Sequence, residues 1–268
     1  MNTEIMRRHF EKMGARLKIK RGVEQPRFAS PRSIAVDIRR DRDGEYFQIN
    51  VEPGAVELHV ENVRPKDRHL LLLARLTKED RKDKFLCGHD ERAWFVAAVP
   101  STRGVSSVST AMEALKPPVV RRVQDAIELR QRDRNRRRNE AFIRQGEWFF
   151  IPAPGFEPRG AVHRNEPLQR GAGNPHMCAY LCRAGGETVY VHDRAPNGLT
   201  EAERMKLFRQ NPDARNLQWR VMTRGARVYA KGAVRHADHA TISLPCWHLV
   251  VLNTETDAPA MRHVAFLD

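Results

Sequence analysis

Apolar and polar residues alternate with a period of two through much of this chain. Ile34, Val36 and Ile38 alternate with polar neighbours, and the alternation resumes at Tyr46, Gln48 and Asn50 beyond Asp43-Gly44. A period of two marks a half-buried strand, and an Asp-Gly pair favours the tight turn of a hairpin. "AVELHVENV" and "HLLLLARL" predict two more strands, and "KFLCGHDERAWFVAAV" predicts a hairpin with "GHDE" at its tip. The first hundred residues therefore predict an antiparallel sheet, preceded by a short helix over Thr3–Met13 and a basic arm to about residue 30.

The period then changes. Val105, Val108, Met112 and Leu115 fall on one helix face, and Pro117-Pro118 ends that helix and opens another. The second helix is predicted from Val119 to Phe142. Val120, Val123 and Ile127 form its apolar stripe, but the positions that continue it hold Arg130, Gln131, Arg134 and Arg138. The first half can dock on a core, while the second half is polar all round. "GEWFFIP" predicts a strand, residues 153–175 a Pro/Gly-rich connector, and "HMCAYLCRAGGETVYVHD" a hairpin turning at Gly185-Gly186. Thr200 and Glu203 have capping-box spacing. Strands follow near 219–223, 227–234, 240–244, 247–252 and 263–267. The expected fold is α+β, with two antiparallel β-rich halves joined by a long Arg-rich helix. Its expected segments are 1–30 (helix and basic arm), 31–104 (β-rich), 105–143 (helical connector) and 144–268 (β-rich).

Composition adds a partner to this picture. At 41% hydrophobic and 30% charged residues the chain has the balance of a folded protein. It has no apolar run of membrane-spanning length and no apolar N-terminal segment, so a cytoplasmic location is expected. Cys87, Cys178, Cys182 and Cys246 form no C-x-x-C pair and are expected as thiols or ligands. The net charge of +14 points to an acidic partner, most often nucleic acid, although an arginine-rich composition alone also raises it. Residues 119–143 hold eight basic and four acidic side chains. Glu128–Arg132 and Asp133–Arg137 are spaced to pair along a helix. Arg130, Arg134, Arg136, Arg137 and Arg138 are the candidate phosphate contacts; the alternative is a solvated charged face.

Candidate chemistry concentrates in three short strings. In "RHADHATISLPCWH", a turn at His236–His239 would bring two imidazoles together, with Asp238 to orient one of them. His248 is excluded from that group by about 13 Å at strand rise, and fits a buried strand better. In "HMCAYLC", His176, Cys178 and Cys182 share one strand face and have zinc-type donors, unless the thiols are simply buried. In "CGHDER", His89 and Asp90 sit with Glu91 at a hairpin tip. If the two His/Asp turns meet, His89, Asp90, His236, Asp238 and His239 would form a hydrolytic centre around a divalent metal (Zn, Mn or Mg), with Arg92 or Arg235 on a phosphate. Turns also collect polar residues for ordinary reasons. No P-loop, G-x-G-x-x-G, G-x-S-x-G or H-E-x-x-H motif is present. The leading expectation is a nucleic-acid-binding protein contacting phosphates. The alternatives are a metal-assisted phosphodiesterase or nuclease and a structural component of a larger assembly. Sequence sets neither RNA against DNA nor an oligomeric state.

Overall fold

The computed structural model describes residues 3–24, 32–102, 104–170 and 173–264. Helix α1 (Thr3–Lys12) leads into β1 (Leu17–Arg21). Strands β2 (Ile34–Asp41) and β3 (Gly44–Val51) form the hairpin over Asp43-Gly44, and β1 adds to β3 in parallel. Strands β4 (Val56–Arg64), β5 (His69–Leu76), β6 (Arg81–Asp90) and β7 (Ala93–Val99) form an antiparallel meander. These two sheets pack face to face. Phe10, Phe47 and Trp94 stack edge-on at their centre, with centroid separations of 5.2 and 5.4 Å.

β5 carries four consecutive leucines, Leu70–Leu73, because both of its faces are covered. Leu70 and Leu72 join the core against the first sheet, while Leu71 faces the opposite way. On that opposite face it meets Leu86, Ala97 and Val99 and the buried side of α2 (Val108–Ala114). Helix α3 (Pro118–Ala126) follows directly. Beyond it, β8 (Ile143–Gln145), β9 (Trp148–Pro152), β10 (Val162–Leu168) and β11 (His176–Ala184) enter a third sheet. Strands β12 (Glu187–His192) and β13 (Ala195–Leu199), helix α4 (Glu201–Gln210) and β14 (Arg220–Arg224) build a small outlying sheet and its helix. Strands β15 (Arg227–Arg235) and β16 (Ile242–Leu252) return to the third sheet, whose order is β10-β11-β15-β16-β9-β8. Asn165 adopts a left-handed φ of 51° and drops out of the β10–β11 register.

The expected α+β fold with two halves joined by a long Arg-rich helix is overturned. Among the described residues strands occupy 46% and helices, 3-10 turns included, 21%, with four short α-helices and four sheets, so the fold is mainly β. Helix α3 stops at Ala126 for a local reason. Glu128 turns left-handed at φ 50°, the Leu129 amide donates to the Gln124 carbonyl at 2.9 Å, and the Glu128 amide donates to Asp125 at 3.1 Å. This pair of bonds is a Schellman cap, and Leu129 packs into the same cluster as Val120. The arginines beyond lack an apolar stripe to dock and run as irregular turns. The 240–252 region forms one strand rather than two, with a bulge opposite Ala230–Gly232 absorbing Pro245. Near the C-terminus, Pro259–His263 is a 3-10 turn; Val264 bridges Val36, and residues 265–267 of the expected strand lie outside the described residues. Residues 25–31, including the end of the expected basic arm, also lie outside them. No helix among the described residues is long and apolar enough to cross a membrane.

Asn139 holds the arginine-rich segment together. Its Nδ2 donates to the Asp133 and Arg136 carbonyls, and its Oδ1 accepts from the Ala141 and Phe142 amides. Replacing it (Asn139→Ala) is expected to cost about 1–3 kcal/mol. Urea denaturation of the variant beside the parent chain measures this, and an unchanged midpoint would show that these bonds contribute nothing.

Candidate metal centre and adjoining cleft

Strand pairing brings three histidines together. Met177 of β11 lies opposite Arg235 of β15, so His176, one residue earlier, faces His236, one residue later. The chain then turns back at His239 before β16. The rings stack loosely, with centroids 4.2 Å (His176–His236), 4.7 Å (His236–His239) and 5.7 Å (His176–His239) apart. One nitrogen from each ring lies within 4.8 Å of the others.

His176 and His239 are buried, at 1% and 4% exposure, and neither nitrogen of either ring has a hydrogen-bond partner. An unsatisfied buried polar group costs about 1–3 kcal/mol, so such a pair is unusual without a ligand. Burial pushes His176 down to about 3, reinforced by His236 and His239. Burial also lowers His239, against the pull of nearby Asp90. Both rings are therefore neutral at ordinary pH, which is the form that binds metal. His236 is held differently. Its Nδ1 accepts from the Asp238 amide at 3.1 Å, and its Nε2 lies 3.1 Å from the Asn174 carbonyl, so Nε2 carries the proton. Asn174 also donates to the Asp238 carboxylate at 3.2 Å.

Gly146, in the β8–β9 turn, closes the other side. It has a φ of 57°, and a Cβ there would lie 2.9 Å from His239 Nε2 and 3.3 Å from His176 Nε2. The residues offer a donor set of the zinc class, three imidazoles and no thiolate, with His236 required to exchange its Asn174 bond for the metal. Tetrahedral zinc with bonds of about 2.0–2.1 Å needs nitrogens roughly 3.4 Å apart, so binding draws the rings slightly together.

The two His/Asp turns do meet, but not with all their residues. Glu91 at the β6–β7 tip accepts a hydrogen bond from the Ala240 amide. Asp90 faces the same way and forms ion pairs with Arg137 and, at 3.4 Å, with Arg144. Burial alone would raise the Asp90 carboxyl, but Arg144 and Arg137 hold it below its ordinary value. His89 points to the other face of β6, its ring 4.9 Å from Trp94, with Arg68 and Glu45 as its charged neighbours. It is not part of the centre. Asp238 sits beside it, held by Asn174. The trio of His176, Cys178 and Cys182 is split. A bulge between Cys178 and Tyr180 shifts the alternation, so Leu181, not Cys182, shares a core with Cys178. Burial pushes the Cys178 thiol up to about 12, far from the thiolate a metal requires. His248 is buried with its Nδ1 2.8 Å from the Cys246 carbonyl.

The candidate phosphate contacts occupy turns. Arg130 and Arg136 pair with Asp133 at 3.3 and 3.0 Å, and Arg134 pairs with Asp125 at 2.8 Å. Arg137 spans Asp90 and Glu91. Arg138 is exposed and lines a groove with Glu91, Arg137, Arg144 and Ser243. Arg235 donates to Asn165 at 2.9 Å, and Arg92 is exposed at the hairpin tip.

His176, expected beside Cys178 and Cys182, instead joins His236 and His239 through strand register, which spacing does not reveal. Gly146 and Glu147 are not expected from the sequence: they carry no motif, and Glu147 is chemically distinctive only once buried. His239 and Gly146 open onto a cleft between β6–β7 and the β8–β9 hairpin, and Glu147 lines it. Burial raises the Glu147 carboxyl to about 7, with Glu255 adding to the effect. Lys116, buried in the same cleft, is lowered to about 8 by burial despite its 2.6 Å bond to Glu113. Comparison with protein-family models, curated proteins and solved structures gave no match, so the site is read from its own geometry.

Glu147 yields a pH test. Its folded-state pKa lies above its ordinary value of 4.5, so its contribution to stability falls as pH rises from there to about 7. Glu147→Gln is expected to match the parent near pH 4 and to be more stable at pH 8 by on the order of 1–3 kcal/mol. Thermal denaturation at both pH values checks this; equal stabilities at pH 8 would refute it.

Proposed function

We propose that this chain is a metal-dependent hydrolase of phosphoesters, with His176, His236 and His239 as its metal ligands. The observation that carries this reading is the pair of buried, neutral imidazoles with no hydrogen-bond partner, beside a third within ligating reach. Three histidines match the protein-ligand count of catalytic zinc sites. A metal held there would supply an activated water at neutral pH and polarise the phosphoryl oxygen. The chain's own residues have separate tasks. Gly146 leaves space for two ligand nitrogens. The Asp238 amide fixes the His236 ring at Nδ1, so His236 would ligate through Nε2 by losing its proton and its bond to the Asn174 carbonyl. Glu147, half-protonated near neutrality, is suited to exchange a proton within the cleft. The adjoining groove carries exposed Arg138 to meet a phosphate oxygen, beside Arg137 and Arg144, which are held by Asp90.

Zinc titration by calorimetry is expected to give one site per chain, lost or weakened at least about tenfold in His176→Ala and His239→Ala. Hydrolysis of bis(p-nitrophenyl) phosphate by the zinc-loaded chain is expected to disappear in the same variants. A parent chain that binds neither zinc nor manganese would sink the reading. Gly146→Ala is expected to weaken zinc binding by at least about tenfold while the chain stays folded, because its methyl group would meet His239 Nε2. Zinc titration of that variant, with circular dichroism as a fold control, measures it; unchanged affinity would rule out this packing role.

A second reading is phosphate-directed nucleic-acid binding without reaction. It is favoured by the net charge of +14 and by exposed Arg138 in a basic groove. Affinity for an oligonucleotide would then fall steeply with salt, and Arg138→Glu would weaken it. Salt-independent binding, or none, would remove this reading.

A further inference from the structure

The cleft beside the histidines has its own chemistry. One end is formed by His239 and Gly146, so anything bound in the cleft extends toward the proposed metal. Its enclosed volume is about 70 Å³, and it opens to solvent at a wider mouth. Phe95, Phe142 and Phe149 line it, and Met112 and Leu115 of the α2 region add apolar surface. Phe142 and Phe149 fix each other edge-on at 5.0 Å.

Apart from Glu147, the charged groups lining the cleft are matched by ion pairs or nearby opposite charge. Arg170 pairs with Glu255 at 2.9 Å, Arg144 with Asp90 at 3.4 Å, and Lys116 with Glu113 at 2.6 Å. A charged group entering here would compete with these pairs and lose its hydration, so the interior suits an uncharged ligand. Two polar groups are left to recognise it. Asn135 lines the cleft, and its Oδ1 is buried without a partner while its Nδ2 donates to the Ser109 hydroxyl at 3.2 Å. The Glu147 carboxyl can donate or accept. A matching ligand is planar, apolar on its faces, and carries both a donor and an acceptor on its edge.

We infer that this cleft binds a nucleobase-class heterocycle, with its edge read by Asn135 and Glu147 and its faces packed on Phe95, Phe142 and Phe149. The inference rests on the proposed phosphoester function for its biological sense: the base enters the cleft and the phosphate remains at the histidines. The cleft itself can be tested without metal or phosphate.

The probes are adenosine, guanosine, cytidine and uridine, which are uncharged, titrated into chelator-treated full-length chain. Saturation-transfer NMR and calorimetry read binding. At least one nucleoside is expected to bind. Asn135→Ala should weaken it about fivefold, the equivalent of one hydrogen bond. Ala97→Leu, which adds bulk to the cleft wall, should abolish binding, with circular dichroism confirming that it folds. If Ala97→Leu does not fold, Asn135→Ala and Glu147→Ala decide the matter. The inference is overturned if no nucleoside binds the parent chain at millimolar concentration, or if binding persists unchanged in the folded variants. Nucleoside binding retained in a chain that takes up no metal would sink only the hydrolase reading. Zinc uptake without nucleoside binding would sink only this one.

Discussion

Asp90 is the group on which the arrangement depends. It is 6% exposed at the end of β6, where an unpaired carboxylate would be strongly disfavoured. Arg137 from the turn segment and Arg144 from β8 both reach it. These contacts fasten the four-stranded meander to the six-stranded sheet. Glu91, the next residue, holds Arg137 and also accepts from the Ala240 amide. The turn that carries His239 is therefore pegged to the same ion cluster. Asp90 and Arg144 of this cluster also line the cleft, together with His239.

That cluster also alters the meaning of the arginines. In sequence they form a run of surplus charge. In the folded chain Arg134 and Arg137 point inward to carboxylates, and Asp133 gathers Arg130, Arg132 and Arg136. Much of the positive charge in this segment organises irregular backbone that has no apolar face to bury. The net charge of the whole chain remains, but its local distribution is set by the ion pairs.

The features legible in sequence were those decided locally. Asp43-Gly44 and the Thr200–Glu203 capping box mark the hairpin and helix start they occupy. Gly185-Gly186 instead marks a passage between two sheets and not the expected hairpin, because β11 pairs with β10 and β15, and β12 with β13 and β14. The long helix misled because arginines recur at helical spacing, while its end was fixed by one left-handed residue, Glu128, which no period signals. Among the site residues, the His236–His239 turn was visible, and so was the idea of a second turn opposite it. Which neighbour of that second turn faces the histidines was not. β6 alternates, so Asp90 points into the cleft and His89 away, and a single residue of register separates the two outcomes. His176 depended on strand pairing with a histidine sixty residues later, while the β11 bulge displaced Cys182 and burial in the core left Cys178 a thiol.

The six-stranded sheet that carries the histidines ends in β8 on one side and β10 on the other. β8 has only three residues, and β10 is broken by left-handed Asn165 and by Pro167, which has no amide to donate. Exposed His163 and Arg164 add hydration and charge along β10. Neither edge offers a long, regular row of free backbone groups to a passing strand. A sheet with this much buried apolar surface is thereby protected from growing by strand addition, and the features that give this protection against aggregation lie apart from the three histidines.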